Sequence, residues 1–245
     1  MKSDNTYLFM QCLIDTFYPN VGTSVAQILN NYCSNSLYFP AKQTCCGQPM
    51  FNAGYWREAT IAAKKFIKLF ENAKQIVSPS GSCVAMVKNH FPQLFENNNN
   101  WLKRSKHVAS KTYELSEFLV DILGVSKINS TFCGKITYQD SCHLLRELGI
   151  KSQPRELLKN IPDVDLIEMN NPEDCCGFGG AFAFKHPDLS TTVLEQKVND
   201  IMSTGADIVT GCDISCLMNI QGMLHYKNSS IRVMHIAQIL NYNTN

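Results

Sequence analysis

The sequence predicts an α/β protein made of two related halves, each with a parallel sheet, and three observations support this prediction. A Cys-Cys-Gly motif occurs twice, at Cys45-Cys46-Gly47 and at Cys175-Cys176-Gly177. A single cysteine precedes each pair by the same number of residues, and another single cysteine follows each pair. Short apolar segments alternate with amphipathic ones in both halves, which is typical of strands alternating with helices. We therefore expect two pseudo-symmetric, Rossmann-like halves with parallel sheets and one such motif in each half.

The length of the chain agrees with a duplicated unit. A chain of 245 residues can form two modest cores, and a repeat of about 130 residues has the size of an ordinary domain. We assign residues 1–128 to an N-terminal repeat and residues 129–245 to a C-terminal repeat.

Each cysteine group of the N-terminal half is expected to follow a strand. Strands are predicted over three apolar segments, residues 7–10, 37–39 and 75–77. Helices are predicted from apolar spacing over residues 21–32, 56–70 and 84–90. The polar segment 95–105 contains an asparagine run and is interpreted as a surface loop, and residues 107–123 as the last helix of the half.

The C-terminal half repeats this order. Strands are predicted over residues 135–138, 164–169 and 206–210, and each again leads to a cysteine group. Helices are predicted over residues 154–159 and 186–204. A final helix over residues 234–240 loosely matches the segment 114–119 of the first half.

A parallel sheet would bring the cysteines of each half together. All strand carboxyl ends lie at one edge of such a sheet, so three loops would deliver four thiols to one place. The expected ligands are Cys12, Cys45, Cys46 and Cys83 in the first half, and Cys142, Cys175, Cys176 and Cys216 in the second. Helices beginning just after Cys83 and Cys216 would direct free N–H groups at these sites. Glycine after each pair would provide a positive φ and allow close backbone approach.

Four thiolates can hold either zinc or an iron–sulfur cluster. Zinc usually takes its ligands from CxxC pairs, whereas adjacent cysteines suit two metal atoms of a cluster better. We therefore favour a 4Fe-4S cluster in one half or in both, with zinc as the alternative. Buried structural cysteines without metal are a third interpretation, and the registered repeat argues against it.

Composition excludes several kinds of partner. Charged residues make up 18% of the chain, the net charge is +1, and the basic residues are scattered, so no nucleic-acid or anionic-membrane surface is predicted. The apolar segments are shorter than the ~20 residues that span a bilayer. Eleven cysteines, an odd number, fit reduced thiols better than a secreted disulfide framework. A cytoplasmic location is expected.

At these residues the sequence resembles the cysteine-rich CCG-domain family. That family includes the cysteine-rich component of heterodisulfide reductase and the iron–sulfur subunits of glycolate oxidase and glycerol-3-phosphate dehydrogenase. The resemblance covers nearly the whole chain, and besides Cys12 and the two pairs it rests on Ser80-Gly81-Ser82-Cys83, Asp140-Ser141-Cys142-His143, Gly177-Phe178-Gly179-Gly180 and Ser215-Cys216-Leu217-Met218-Asn219-Ile220.

Within this family the chain resembles the lactate-utilization branch. That similarity implies an iron–sulfur electron-transfer subunit of a flavin-independent L-lactate dehydrogenase complex, which oxidises lactate to pyruvate. The implied partners are a ferredoxin-like iron–sulfur protein and a third small subunit. The alternatives are a zinc-binding or metal-free scaffold subunit, or a subunit that acts on a related 2-hydroxy acid or on a heterodisulfide.

The sequence departs from the heterodisulfide reductase pattern at the last cysteine of each half. Members of that type end in CxxC, but Ser80 and Asp213 stand three residues before Cys83 and Cys216. An ordinary four-thiolate cluster is therefore expected in place of a noncubane double cluster. Cys212 is interpreted as a neighbour of the site.

Three further residues are assigned outside the ligand sets. His143 is the candidate catalytic residue, because it could protonate substrate or donate a hydrogen bond to cluster sulfur, and ordinary packing is its alternative. Cys33 and Cys133 have no repeat partner and are interpreted as structural.

Overall fold

Two four-stranded parallel sheets organise the chain, which the computed structural model describes over residues 5–243. The sheets lie in separate compact units, and the division falls between Leu123 and Gly124. The predicted fold class, an α/β protein with a parallel sheet in each of two pseudo-symmetric halves, is confirmed. The assignment of domains with a boundary after residue 128 stays a prediction.

The sheet of the first unit has the strand order β2-β1-β3-β4. Its strands are β1 (Thr6–Leu8), β2 (Leu37–Tyr38), β3 (Gln75–Ser78) and β4 (Thr112–Glu114). β1 pairs with both β2 and β3, so the three strands that precede cysteine groups are neighbours. Their carboxyl ends therefore lie side by side.

Helices surround this sheet. They are α1 (Cys12–Phe17), α2 (Pro19–Tyr32), α3 (Gln48–Asn52), α4 (Trp56–Phe70), α5 (Gly81–Ala85), α6 (Phe91–Leu94), α7 (Asn99–Ala109) and α8 (Leu115–Glu117), with π-helical segments at Met86–His90 and Phe118–Ile122. An aromatic cluster fills the core between α4 and the sheet. The ring of Phe66 lies edge-on to Phe9 at 4.7 Å and to Phe91 at 5.4 Å between centroids.

The second unit repeats the topology with the strand order β6-β5-β7-β8. Its strands are β5 (Cys133–Gln139), β6 (Asp163–Leu166), β7 (Ile208–Gly211) and β8 (Arg232–His235). Its helices are α9 (Ser152–Lys159), α10 (Ala181–Lys185), α11 (Pro187–Ser203), α12 (Ile214–Tyr226) and α13 (Ile236–Leu240), with a π-helical segment at His143–Glu147.

Strand register fixes which positions of the two units correspond. Thr6 of β1 pairs with Leu37 of β2, and Ile136 of β5 pairs with Leu166 of β6. Thr6 and Ile136 correspond, because Thr6 precedes Cys12 by the same number of residues as Ile136 precedes Cys142. Phe39 and Glu168 also correspond, because they follow Leu37 and Leu166, respectively, by two residues. The residues two before each single cysteine, Met10 and Asp140, match in the same way.

The fourth strand of each unit was not expected from the sequence. The prediction of a single helix over residues 107–123 is wrong, because α7 ends at Ala109 and β4 intervenes before α8. The prediction of a helix over 234–240 likewise includes the end of β8. In both places the last strand residue, Glu114 or His235, also caps the following helix. The helical pattern of apolar residues therefore begins within the strand, and the sequence shows no boundary between the two elements.

The predicted surface loop over residues 95–105 is largely helix. Asn98 is the N-cap of α7, since its Oδ1 accepts the Trp101 N–H at 3.2 Å. The Trp101 ring stacks on Phe95 and lies under the Arg104 guanidinium. The asparagine run thus starts a helix, because asparagine is a favourable capping residue.

No helix among residues 5–243 is long and apolar enough to cross a bilayer.

Candidate metal centres

The cysteines of the first unit converge at the carboxyl edge of its sheet. Cys12 is the first residue of α1 and follows β1, the pair lies between β2 and α3, and Cys83 follows β3 inside α5. The sulfurs form one connected row: Cys12 contacts Cys45, Cys45 contacts Cys46, and the Cys46 and Cys83 sulfurs are 3.5 Å apart. Cys12 is exposed at one end, and Cys46 and Cys83 are buried at the other.

The second unit contains the same row. Cys142 contacts Cys175, Cys175 contacts Cys176, and Cys176 contacts Cys216. Cys142 and Cys175 are half-buried, whereas Cys176 and Cys216 are buried. The structure therefore brings together all eight cysteines that the repeat selected, four in each unit. Whether they bind metal stays a prediction.

One thiol in each row is acidic. Hydrogen bonds from the thiols of Cys12 and Cys46, and from the Gly47 N–H at 3.4 Å, lower the pKa of Cys45 to about 3. The matching donors are Cys142, Cys176 and the Gly177 N–H at 3.3 Å, and they lower the pKa of Cys175 to about 2.

The flanking thiols shift in the opposite direction. Their hydrogen bonds to the central sulfur, together with burial, raise the pKa values of Cys12, Cys46, Cys142 and Cys176. In each unit the middle thiol therefore loses its proton more readily than the thiols on either side of it. A soft cation that displaced the thiol protons would meet four sulfur donors.

The glycine after each pair is required for two reasons. Gly47 and Gly177 have φ values of 90° and 78°, where other residues are strained. A Cβ on Gly177 would lie 2.5 Å from the Ser190 carbonyl oxygen of α11, and the Ser190 hydroxyl donates to the Gly177 carbonyl at 2.7 Å. The expected positive φ is present, and the close approach is to a helix of the core.

The third loop of each unit is fixed by a helix cap. Ser80 Oγ accepts the Cys83 N–H at 3.3 Å, and Asp213 Oδ1 accepts the Ser215 N–H at 3.2 Å. The prediction that helices begin after the cysteines is wrong, because Cys83 and Cys216 are the third residues of α5 and α12. Ser80 and Asp213, which replace the first cysteine of CxxC, therefore cap helices.

An amide side chain ties the pair to the third loop in each unit, but from opposite sides. Gln48 Nε2 donates to the Ser82 carbonyl at 3.0 Å in the first unit. Asn219 Nδ2 of α12 donates to the Cys176 carbonyl at 2.9 Å in the second. These bonds hold two of the three cysteine loops at a fixed separation.

An ion cluster with one buried and one exposed carboxylate lies beside the second centre. Arg155 of α9 donates to both carboxylate oxygens of Asp140, at 2.9 and 2.7 Å, and to both oxygens of Glu168, at 2.7 and 2.9 Å. Asp140 is 1% exposed and precedes Cys142 by two residues. The guanidinium also lies over the Tyr138 ring. Sequence analysis missed this cluster because its three members come from separate elements.

The matching region of the first unit is apolar and open. Met10 and Phe39 stand where Asp140 and Glu168 stand, and Ala26 of α2 lies where Arg155 reaches between them. These residues line a cleft of about 370 Å³. The two centres therefore have the same arrangement of four cysteines. They differ in the polarity of the residues next to the first cysteine, Cys12 or Cys142.

His143 lies beside the second row. Its Nδ1 is 3.5 Å from Cys142 Sγ, and its Nε2 is 3.5 Å from Glu147 Oε1. A hydrogen bond between the imidazole and the Cys142 sulfur is thus within reach, and the tentative catalytic role of His143 stays a prediction.

Three cysteines are not among the eight that the repeat selected: Cys33, Cys133 and Cys212. The Tyr138 hydroxyl donates to the buried Cys212 sulfur at 3.3 Å. Cys33 lies 3.3 Å from the hydroxyl of Thr6, the first residue of β1, and Cys133 is the exposed first residue of β5. Cys33 and Cys133 therefore belong to the amino edges of the sheets, opposite the two rows.

The donor set suits a soft metal centre by its chemistry. Among residues 5–243, no three histidine, cysteine or acidic side chains are already arranged around a single metal position. The sulfurs contact one another instead, and the pKa of the middle thiol is lowered in each row. Four sulfur donors from three loops are the set that both tetrathiolate zinc and iron–sulfur clusters require.

Comparisons with known proteins agree with the duplicated site. The cysteine-rich domain family, CCG, matches this chain over residues 6–88 and 136–221, so each match contains one row. Lactate utilization protein A 2 of Bacillus cereus (strain Q1) is 45% identical over 233 residues, covering 95% of this chain and 96% of that protein. Lactate utilization protein A of Exiguobacterium sp. is 44% identical over 239 residues and covers 97% of both chains.

A solved structure supports the fold. The crystal structure of a hypothetical protein from Helicobacter pylori matches with a TM-score of 0.71 at 10% identity, covering 100% of this chain and 50% of that one. From the two family matches and the relatives that align along nearly its whole length, the chain belongs to the CCG cysteine-rich domain family.

Proposed function

We propose that each unit binds one 4Fe-4S cluster through its four cysteines, and that the protein transfers electrons as a subunit of a lactate-oxidising complex. The observation that carries the proposal is the pair of matching rows of four sulfurs, each built from three loops at one sheet edge. We infer the substrate, lactate, from the relatives that are named lactate utilization protein A.

The central cysteine of each row, Cys45 or Cys175, is the best prepared of the four to bind a cluster. Cys45 and Cys175 already carry thiolate character and accept backbone N–H bonds from Gly47 and Gly177. Such N–H donors favour the charged form of a sulfur ligand and adjust the potential of the group it binds. When bound, an iron–sulfur cluster accepts and releases single electrons.

Graded burial along each row favours electron exchange from one side. Cys46 and Cys83 are buried against the core, as are Cys176 and Cys216, and these sides exclude water. The exposed Cys12 and the half-buried Cys142 leave the opposite sides accessible to a redox partner. Apolar residues that follow the pairs are candidates for the contact surface: Phe51, Phe178, Phe182 and the exposed Phe184.

Electron counting supports a multi-subunit system. Oxidation of lactate to pyruvate releases two electrons and two protons, whereas each cluster exchanges one electron at a time. We expect a ferredoxin-like iron–sulfur protein and a third small subunit to complete the complex, in the cytoplasm. This chain alone should therefore have no lactate dehydrogenase activity.

The first test is chemical analysis of protein purified without oxygen. Our proposal expects iron and acid-labile sulfide in equal amounts, with a broad visible absorbance that dithionite bleaches. The second test mixes the chain with its two candidate partners and measures lactate-dependent dye reduction. Turnover by this chain alone would refute the subunit assignment.

Zinc remains the second candidate, and one observation favours it. The Cys46 and Cys83 sulfurs are 3.5 Å apart, close to the roughly 3.8 Å between two thiolates bound at about 2.3 Å to one tetrahedral zinc. A colourless protein with stoichiometric zinc, after purification without oxygen and with iron supplied, would establish this alternative and a scaffold role.

A further inference from the structure

The second unit contains a lysine inside its core. Lys197 lies in the middle of α11, and its side chain is 1% exposed. A buried ammonium group is costly unless polar groups satisfy it. Lys197 lies at helical spacing from the buried Leu194, Val198 and Ile201, so the sequence already places it on the inner face of the helix.

The ammonium group binds the loop that carries the second cysteine pair. Its Nζ donates to the carbonyl oxygens of Asn171 at 2.7 Å and Pro172 at 3.3 Å, and lies 3.8 Å from the Met169 sulfur. These acceptors are neutral. Among residues 5–243, no carboxylate forms an ion pair with Lys197 within 4.0 Å.

The same helix also accepts hydrogen bonds from backbone N–H groups of this loop. Asp200, one helical turn beyond Lys197, accepts the N–H groups of Asn170 at 3.1 Å and Asn171 at 2.8 Å. The Asp174 N–H then bonds to the Asn171 carbonyl, directly before Cys175. The loop is thereby fixed on α11, and the lysine charge lies under the cysteine pair.

The helix that carries this charge packs against the sulfur row, since Leu194 and Val198 belong to one buried cluster with Cys176 and Cys216. Burial lowers the pKa of Lys197, while Asp174, Asp200, Asp140 and Cys176 act on it in the opposite direction. Asp140 is already paired with Arg155, and Asp200 accepts two backbone bonds. The positive charge of Lys197 thus lies within electrostatic range of Cys176.

The first unit has no charge at the matching position. The buried residues of α4 are Ala59, Ala63, Phe66, Ile67 and Phe70, and those of α11 are Ser190, Leu194, Lys197, Val198 and Ile201, with identical spacing. Gly47 packs on α4 near Ala59 as Gly177 packs on α11 near Ser190, which fixes the alignment. Lys197 therefore corresponds to Phe66, whose ring packs against Phe9.

We propose that Lys197 raises the reduction potential of the cluster in the second unit by placing one buried positive charge beneath Cys176. This inference rests on the proposed function, since it requires a redox cluster at that row. Reduction adds one electron and breaks no bond, so the reduced centre is more negative, and a cation in a low-dielectric core stabilises it.

The experiment is a potentiometric titration of the loaded full-length protein, followed by electron paramagnetic resonance. A background with Cys45→Ser and Cys46→Ser leaves the second unit as the only centre observed. Lys197→Gln keeps a hydrogen-bond donor for the loop and removes the charge. At a fixed potential its reduced-to-oxidised ratio should fall about tenfold, a shift of about 59 mV for one electron.

Two variants separate charge from structure. Lys197→Arg keeps the charge and should keep the ratio within about threefold of the parent, a shift of less than about 30 mV. Lys151→Gln is the matched control, because it removes a lysine whose side chain is 54% exposed and pairs with Glu173, close to the same loop. Solvent should screen that charge, leaving the ratio unchanged.

The outcomes distinguish this inference from the function on which it rests. Absence of iron and sulfide from the wild-type protein refutes the proposed function. A loaded centre whose potential is the same in Lys197→Gln and in the parent overturns the role of Lys197. If Lys197→Gln loses its iron, Lys197→Met takes its place in the titration, since it also removes the charge and fills the same apolar space; its ratio should fall as well, and an unchanged ratio overturns the proposal.

Discussion

The two units hold the same row of four sulfurs in very different surroundings. In the first unit, Met10 and Phe39 line an apolar cleft, and Phe66 packs in the buried cluster that contains Cys46 and Cys83. In the second, Asp140, Glu168 and Lys197 occupy the matching positions, and Arg155 joins two of them. Cysteine spacing, the glycine and the strand order are therefore enough to build the row, and the residues behind it are free to set its electrostatic properties.

The largest effect we expect is the loss of one cluster while the other is kept, because the two rows lie in separate units. Cys175→Ser or Cys176→Ser should remove the second cluster and abolish lactate-dependent dye reduction, because each thiolate would bond iron directly. Iron per chain should fall by about half. Cys45→Ser should remove the other half.

Cys33→Ser is the control for these variants. Cys33 lies by Thr6 at the amino edge of the first sheet, so iron content should stay at the wild-type level. An equal loss of iron from Cys33→Ser would contradict the ligand assignment.

The second prediction concerns the ion cluster that only the second unit has. Arg155→Met leaves Asp140 buried without its partner, and breaking a buried pair in this way costs about 3 kcal/mol. Chemical denaturation should show the loss. The triple variant Asp140→Met, Arg155→Ala and Glu168→Phe installs the residues of the first unit and should recover most of it. A triple variant as unstable as Arg155→Met would mean that the cluster does more than neutralise Asp140.

The third prediction uses the different caps after the fourth strands. Burial raises the pKa of Glu114 to about 7, and His235 stands at the matching place in the second unit. In the unfolded chain the pKa of Glu114 should return to about 4.3, so the native state binds more protons between that pH and 7. The free energy of unfolding should therefore fall as pH rises through this window.

Glu114→Gln should remove this pH dependence. At pH 8 the variant should be more stable than wild type by about 3–4 kcal/mol, and at pH 4 the two should be similar. Denaturation curves at both pH values provide the measurement. A wild-type advantage at pH 8 would show that the ionised carboxylate is favourable in the native state.

The fourth and smallest effect concerns the cleft of the first unit. Gly22 of α2 lines this cleft, and an added Cβ would lie 3.1 Å from the flexible end of Met10, which can move. Gly22→Ala should stabilise the protein by about 0.5–1 kcal/mol through helix propensity. Gly54→Ala is the contrast, since a φ of 86° makes alanine unfavourable there although the space is open. Thermal unfolding should show opposite shifts.

Sequence patterns predicted the sulfur rows because the repeat is local and registered. Each cysteine follows a short apolar strand, and parallel strands must end at one edge, so convergence follows without knowledge of tertiary contacts. The Arg155 cluster could not be predicted, because its residues meet only after α9 packs beside β5 and β6. Lys197 did carry a usable signal, since a charged residue at an inner helical position must find buried partners.

The fourth strands show where helical spacing misleads. Glu114 ends β4 and also caps α8, with Glu117 completing the capping box, and His235 and Gln238 repeat this arrangement. Apolar spacing that continues from strand to helix without a loop contains no boundary signal. Only pairing with β3 or β7, which is a long-range contact, identifies these residues as strands.

The short edge strands have a consequence for the time before any cofactor arrives. β2 has 2 residues, β4 has 3, and β6 and β8 have 4 each, and these four strands form the edges of both sheets. Long unpaired edges are templates for aggregation between chains, and very short ones are poor templates. Newly synthesised chains should therefore stay dispersed, which would give the delivery of the proposed clusters time to succeed.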